Sequence, residues 1–160
     1  MVIQLRIDDR LIHGEVITMW LRYTNAEVVM VVDDETATNQ IMKNAMKLAQ
    51  PAGVAMPIVT IRRAIELLNE KGDGQKRIFV VTKNSENARK IVEGTTCIHE
   101  LNAGAMRSAP GKKQADLKVF IDDSDIENLK AIRDKGVKVY SQTKPDMKQL
   151  TLEELISKAK

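Results

Sequence analysis

In Arg6-Ile7-Asp8-Asp9-Arg10-Leu11-Ile12-His13-Gly14-Glu15 the chain gathers the residue types that can carry a phosphoryl group. A neutral imidazole such as that of His13, with an ordinary pKa of about 6.5, attacks phosphorus at neutral pH and forms a covalent phosphohistidine. Phosphoryl transfer otherwise asks a protein for in-line positioning and for compensation of charge on the equatorial oxygens. Arg10, just ahead of the histidine, can hold phosphate oxygens in a planar, bidentate contact. Gly14 lets backbone amides come close to an anion, and the helix predicted behind it offers unpaired N–H groups and a positive dipole end. Asp8 or Asp9 is expected to orient the imidazole by accepting its other N–H, with Asp9 assigned that role among the site residues. Taken singly, the same residues also suit a solvated turn with local salt bridges, and a loop histidine before a helix suits a surface or capping role. The loop lacks a Gly-x-x-x-x-Gly-Lys-Ser/Thr or Gly-x-Gly-x-x-Gly pattern, so nothing in it marks a nucleotide.

Such a loop needs elements to hold it. Short β-branched runs predict strands at Val2–Arg6, Val28–Val32, Val54–Val59, Ile78–Thr82, Thr96–Leu101, Lys118–Ile121 and Val137–Ser141. Pro57 cannot donate to a ladder and places the third at an edge. Between them run helical stripes: Val16, Trp20 and Tyr23; Met42, Met46 and Ala49, stopped by Pro51; and Ile61, Ile65 and Leu68 behind a Thr60 cap, ended by Lys71-Gly72. Ser124 with Glu127 and Thr151 with Glu154 have the spacing of capping boxes, and Gly94 and Gly136 stand where helix-ending glycines belong. The alternation predicts a single α/β domain over residues 1–160, a mostly parallel twisted sheet of about seven strands with helices on both faces. The Gly-, Pro- and Lys-containing stretch Asn102–Leu117 has no helical period, so one antiparallel strand is expected there. In such sheets ligands bind beyond the carboxyl ends of strands where strand order reverses, and the His13 loop follows the first strand.

Composition narrows the function. Of 160 residues, 25 are Lys or Arg and 22 are Asp or Glu, a net charge of +3 that is too mild and too evenly spread for a nucleic-acid binder. Aromatics are only 3%, leaving few faces for stacking bases or sugars. One cysteine makes neither an internal disulfide nor a four-ligand zinc site. The longest apolar runs, such as Val28–Val32, fall far short of the ~20 residues of a membrane span, and the N-terminus does not read as a signal peptide, so a cytoplasmic protein is expected. No cofactor or metal is expected. Cys97 and His99 would share a strand face but have no third ligand, and Cys97 reads as a core residue. Asp33-Asp34, closing the second strand, resemble the acidic pair of response-regulator receivers. Receivers carry that pair after the first strand, so it reads here as a helix start or the rim of the phosphate crevice. Arg107, Lys112 and Lys113 lie in a polar loop, Asn102–Gln114, that either faces an acidic phosphoryl donor or is merely solvated.

Ile7 to Val16, followed by Thr18 and Trp20, closely resembles the opening of the IIB components of the mannose/fructose/sorbose family of bacterial sugar phosphotransferase systems. Asp33-Asp34, Asn102-Ala103-Gly104, Gly111-Lys112-Lys113-Gln114 and Gly136-Val137 are supporting landmarks. The resemblance implies a largely parallel sheet and a phosphotransferase relay. His13 would be phosphorylated, through Nδ1, by a IIA domain and would pass the group to a sugar imported through membrane IIC and IID subunits, with which the protein would associate peripherally. Glu15 departs from the family pattern, which has Gln after the glycine, and sets a carboxylate near the phosphohistidine. The alternative reading is a non-enzymatic, phosphorylation-dependent regulator, receiver-like or a sensor relative of IIB. The sugar, whether mannose, fructose, sorbose or an amino sugar, and the oligomeric state are not written in these residues.

Overall fold

The computed structural model describes residues 1–160, with the side chain of Ile17 left aside. Its main sheet is built from β1 (Val2–Asp8), β2 (Val28–Val32), β3 (Ile58–Val59), β4 (Ile78–Thr82), β5 (Glu100–Ala105), β8 (Lys138–Ser141) and β9 (Leu150–Thr151), in the order β3-β2-β4-β1-β5-β8-β9. A separate hairpin pairs β6 (Lys113–Asp116) with β7 (Val119–Ile121). All main-sheet neighbours are parallel except β8 and β9. β1 therefore lies at the reversal of strand order, with β4 on one side and β5 on the other. The central strand β4 is buried along its whole length, Ile78-Phe79-Val80-Val81-Thr82, as a parallel strand covered on both faces must be.

The pleat of these strands divides the core in two. On one face Leu5, Ile7, Val80 and Leu101 pack against α4 (Ile61–Lys71), α5 (Ser85–Glu93), α6 (Asp123–Asp134) and α7 (Leu152–Lys158), through Leu68, Ile91, Leu129 and Leu155. On the other, Val29, Val31, Phe79 and Val81 pack against Val16, Trp20 and Leu21 of the first helix, with Met46 of α3 (Gln40–Lys47) beside them. The first helix carries a π-helical stretch, Val16–Leu21, running into α1 (Arg22–Thr24); α2 (Asp34–Thr38) precedes α3. No described helix is long and apolar enough to cross a membrane.

Several boundaries differ from the sequence reading. Val54–Val59 narrows to β3, which takes the edge position that Pro57 requires. β5 starts at Glu100 and runs on through Asn102-Ala103-Gly104-Ala105, weak strand formers held in place because Leu101, Asn102, Ala103 and Ala105 pair with β1. Within Asn102–Leu117 the chain finishes β5 and enters the hairpin, so the antiparallel strand of the main sheet is β9 instead. The capping box of α6 is Asp122 with Asp125, ahead of the expected Ser124 and Glu127, and aspartates in that first turn also meet the positive helix end. The Thr151–Glu154 box opens α7 as expected. The wider π turn brings Leu21 inward and leaves Tyr23 65% exposed, off the expected stripe. Gly136 takes a left-handed φ of 88°, whereas Gly94 stays right-handed with a φ of −90°.

Candidate functional site

β1 ends in a charged pair inside a mostly apolar strand. Strand alternation puts Arg6 and Asp8 on the same face, and Nε and Nη2 of Arg6 donate to Asp8 Oδ2 at 3.3 Å. The two side chains are 1% and 0% exposed. The Arg6 guanidinium lies 4.9 Å from the centre of the Trp20 ring, whose Nε1 donates to the Thr143 carbonyl. Its other neighbour is the backbone of Gly104. A Cβ at that position would stand 2.1 Å from Arg6 Cζ, so only glycine leaves room for the guanidinium.

After β1 the chain turns sharply. The N–H groups of Leu11 and Arg10 donate to the Asp8 carbonyl at 2.9 Å and to Asp8 Oδ1 at 3.2 Å. Leu11 adopts a left-handed φ of 59°, a conformation costing a non-glycine residue of order 1 kcal/mol, and one often found at functional loops. Burial of Leu11 and Ile12 among Val16, Trp20 and Phe79 holds it there. These two apolar anchors leave Arg10 exposed on one side of the turn and bring His13 back over Asp8 on the other.

His13 Nε2 lies 3.0 Å from each carboxylate oxygen of Asp8, and the side chain is 14% exposed. Burial acts to raise the Asp8 carboxyl, but the hydrogen bond from His13, the charges of Arg6 and His13 and the Arg10 N–H together hold it below the ordinary carboxylate range. Burial in turn lowers the Arg6 guanidinium, an effect Asp8 offsets by charge and hydrogen bonding. An ionised carboxylate only accepts, so the imidazole tautomer with hydrogen on Nε2 is the one that fits, and Nδ1 is left with its lone pair free.

Asp9 does not take the orienting place assigned to it. The pleat turns it away from the imidazole toward the loop after β5, where its Oδ2 accepts from Arg107 Nε at 3.0 Å; Asp8 stands at the imidazole instead. A Cβ on Gly14 would meet nothing within 4 Å, so the space before the first helix is open. Glu15 is ion-paired with Lys118 at the head of β7, 2.5 Å from its Nζ. Burial would raise the Glu15 carboxyl, but the Lys118 hydrogen bond and charge, with His13 and Arg6, hold it low.

Beside this centre, on the Asp9 side and not lined by His13 or Arg10, Asp9, Lys83, Asn84, Arg107, Lys112 and Asp125 line a cleft of about 280 Å³ at the carboxyl edge of the sheet. Lys112 is tied to Asp125 at 2.5 Å and so fastens the polar loop to α6, while Arg107 and Lys113 remain exposed. Asp33 and Asp34 serve as helix starts: Asp33 accepts from the Thr36 N–H and hydroxyl, and Asp34 from the Ile61 N–H. The expected shared face of Cys97 and His99 does not form, because that segment is not a strand. Cys97 is buried and His99 exposed, at the sheet edge opposite His13. Arg6, Trp20, Gly104 and Lys118 were not singled out as site residues by sequence. The available signal was an arginine alternating with an aspartate in a mostly apolar strand.

Fold and loop together define a class: a doubly wound α/β protein with a carboxylate-held histidine at the reversal of strand order. The family model described as "PTS system sorbose subfamily IIB component" matches residues 2–160, and the chain belongs to that family of phosphotransferase-system components. Among its relatives, the N-acetylgalactosamine-specific phosphotransferase enzyme IIB component 1 of Escherichia coli is 35% identical over 145 residues, covering 90% of this chain and 91% of that protein. The mannose-specific EIIAB component of E. coli is 34% identical over 159 residues, and there the chain spans 99% of itself but 49% of the relative. The crystal structure of the IIBSor domain of the sorbose permease from Klebsiella pneumoniae superposes with a TM-score of 0.91 at 26% identity, covering 100% of this chain and 98% of that one.

Proposed function

We propose that the chain acts as one IIB domain of a sugar phosphotransferase system, taking a phosphoryl group from a IIA domain onto His13 and passing it to a sugar imported through membrane IIC and IID subunits. The observation that carries this reading is the contact of His13 Nε2 with both oxygens of Asp8 at 3.0 Å. It leaves Nδ1 as the nucleophilic atom. In the first half-reaction the Nδ1–P bond forms as the donor's N–P bond breaks, and the ring, still protonated at Nε2, gains positive charge that Asp8 balances. In the second, a sugar hydroxyl takes the phosphoryl group, its proton is released and the imidazole returns to neutrality. Arg10 and the amides around Gly14 hold the equatorial oxygens meanwhile.

The family supports a transferase role, and the E. coli mannose-specific relative is named as an EIIAB component, which favours a IIA domain as donor. With 3% aromatic residues, sugar choice falls to the membrane subunits, and the protein works in the cytoplasm against their inner face. Incubation with phosphorylated IIA, followed by intact mass and site mapping, tests the reading. One acid-labile phosphate on His13 is expected, and none on His13→Ala. Undiminished acid-labile phosphate on His13→Ala would refute the assignment.

A further inference from the structure

Resting on the phosphohistidine reading of His13, we infer that Lys118 is a positioning residue that cancels the charge of Glu15 beside the phosphoryl site. Glu15 follows Gly14 directly, and its carboxylate is 18% exposed. That is where negative charge arrives with the phosphoryl group. A bare carboxylate there repels the incoming group and offsets Arg10, the exposed cation of the turn.

Lys118 comes from 103 residues further along the chain and places Nζ 2.5 Å from Glu15 Oε2. The hairpin that delivers it is held on its other side, where the Ser141 hydroxyl donates to Asp116 Oδ2 at 2.7 Å. The charges then balance in pairs around the imidazole: Arg6 with Asp8 from β1, Glu15 with Lys118, and Asp9 with Arg107. Arg10 is left to meet the phosphate. Pairing with Lys118 leaves the Glu15 position neutral overall.

The test is a cycle of Lys118→Ala, Glu15→Gln and both together, with Lys118→Arg as the conservative variant, read as the initial rate of His13 phosphorylation by phosphorylated IIA at low and high salt. Lys118→Ala is expected to slow the reaction roughly 3- to 10-fold at low salt, the effect of one exposed charge several ångströms away, and less at high salt. In the Glu15→Gln background the same change is expected to cost less than about twofold, and Lys118→Arg is expected to preserve the rate. Lys118→Ala at the parental rate, or equal slowing in both backgrounds, would overturn the inference while leaving His13 as the carrier. Failure of the parent protein to hold phosphate on His13 would overturn both.

Discussion

Replacing Asp8 by Asn keeps the side-chain shape and removes a charge on which three neighbours depend. Oδ2 accepts from Arg6 at 3.3 Å, Oδ1 accepts from the Arg10 N–H at 3.2 Å, and both oxygens lie 3.0 Å from His13 Nε2. An Asn amide has only one accepting atom, so its NH₂ must face either the guanidinium or the Arg10 N–H, donor against donor. Arg6, 1% exposed, also loses its counter-ion, and breaking a buried pair from one side costs about 3–5 kcal/mol. For a chain of this size that is a fall in Tm of about 6–20 °C. The imidazole trades a carboxylate that only accepts for a neutral amide whose NH₂ can donate to Nε2 and which no longer balances the ring's charge, and phosphorylation should slow by about 10²- to 10⁴-fold. Rapid-quench phosphorylation and thermal melts separate the two effects when Arg6→Met is added. Removing both charges should recover part of the stability, because no buried charge is then left without its partner, but it should not recover the rate. A folded Asp8→Asn protein phosphorylated at the parental rate, or a double variant that regains it, would refute this reasoning.

Arg10→Ala should slow transfer by about 10³-fold yet shift stability by no more than about 0.5 kcal/mol, because the side chain is exposed; rate and urea unfolding measured together check this, and full activity would reduce Arg10 to a surface residue. Gly104→Ala should destabilise by about 2–4 kcal/mol in urea unfolding, since its methyl would stand 2.1 Å from Arg6 Cζ, and a neutral outcome would mean the guanidinium has room to move. The folded Asp8 carboxyl titrates below its unfolded value of about 3.9, so its contribution is fully present above that pH and is lost as pH falls through the lower folded value. Unfolding free energy should therefore drop in that acid range for the parent and less steeply for Asp8→Asn; parallel curves would count against the depressed carboxyl.

The residues of the loop were legible as a candidate site because they are local. Arg10, His13 and Gly14 stand within one turn, and β1 and the first helix on either side have strong patterns of their own. The alternation of strand and helix was enough for the sheet, its near-parallel character and helices on both faces. Arg6, Trp20 and Gly104 meet only through tertiary packing of β1, the first helix and β5, and no spacing along the chain announces that contact. The second half of β5 is not legible in local propensity, because Asn102 to Ala105 are poor strand formers ordered by their neighbour β1. The choice between Asp8 and Asp9 turned on the pleat at the very end of β1, where one residue of register decides which carboxylate faces the imidazole. Glu15 read as an isolated departure until the hairpin brought Lys118 to it.

The proposed relay sets Asp8 on Nε2 and leaves Nδ1 of His13 to carry phosphate. Heteronuclear NMR of the phosphorylated protein, with ¹⁵N-labelled histidine and ³¹P detection, reads the bonded nitrogen directly. A single phosphorus coupled to His13 Nδ1, with Nε2 still protonated, is the predicted result. Phosphorus on Nε2, or on any residue other than His13, would contradict the account.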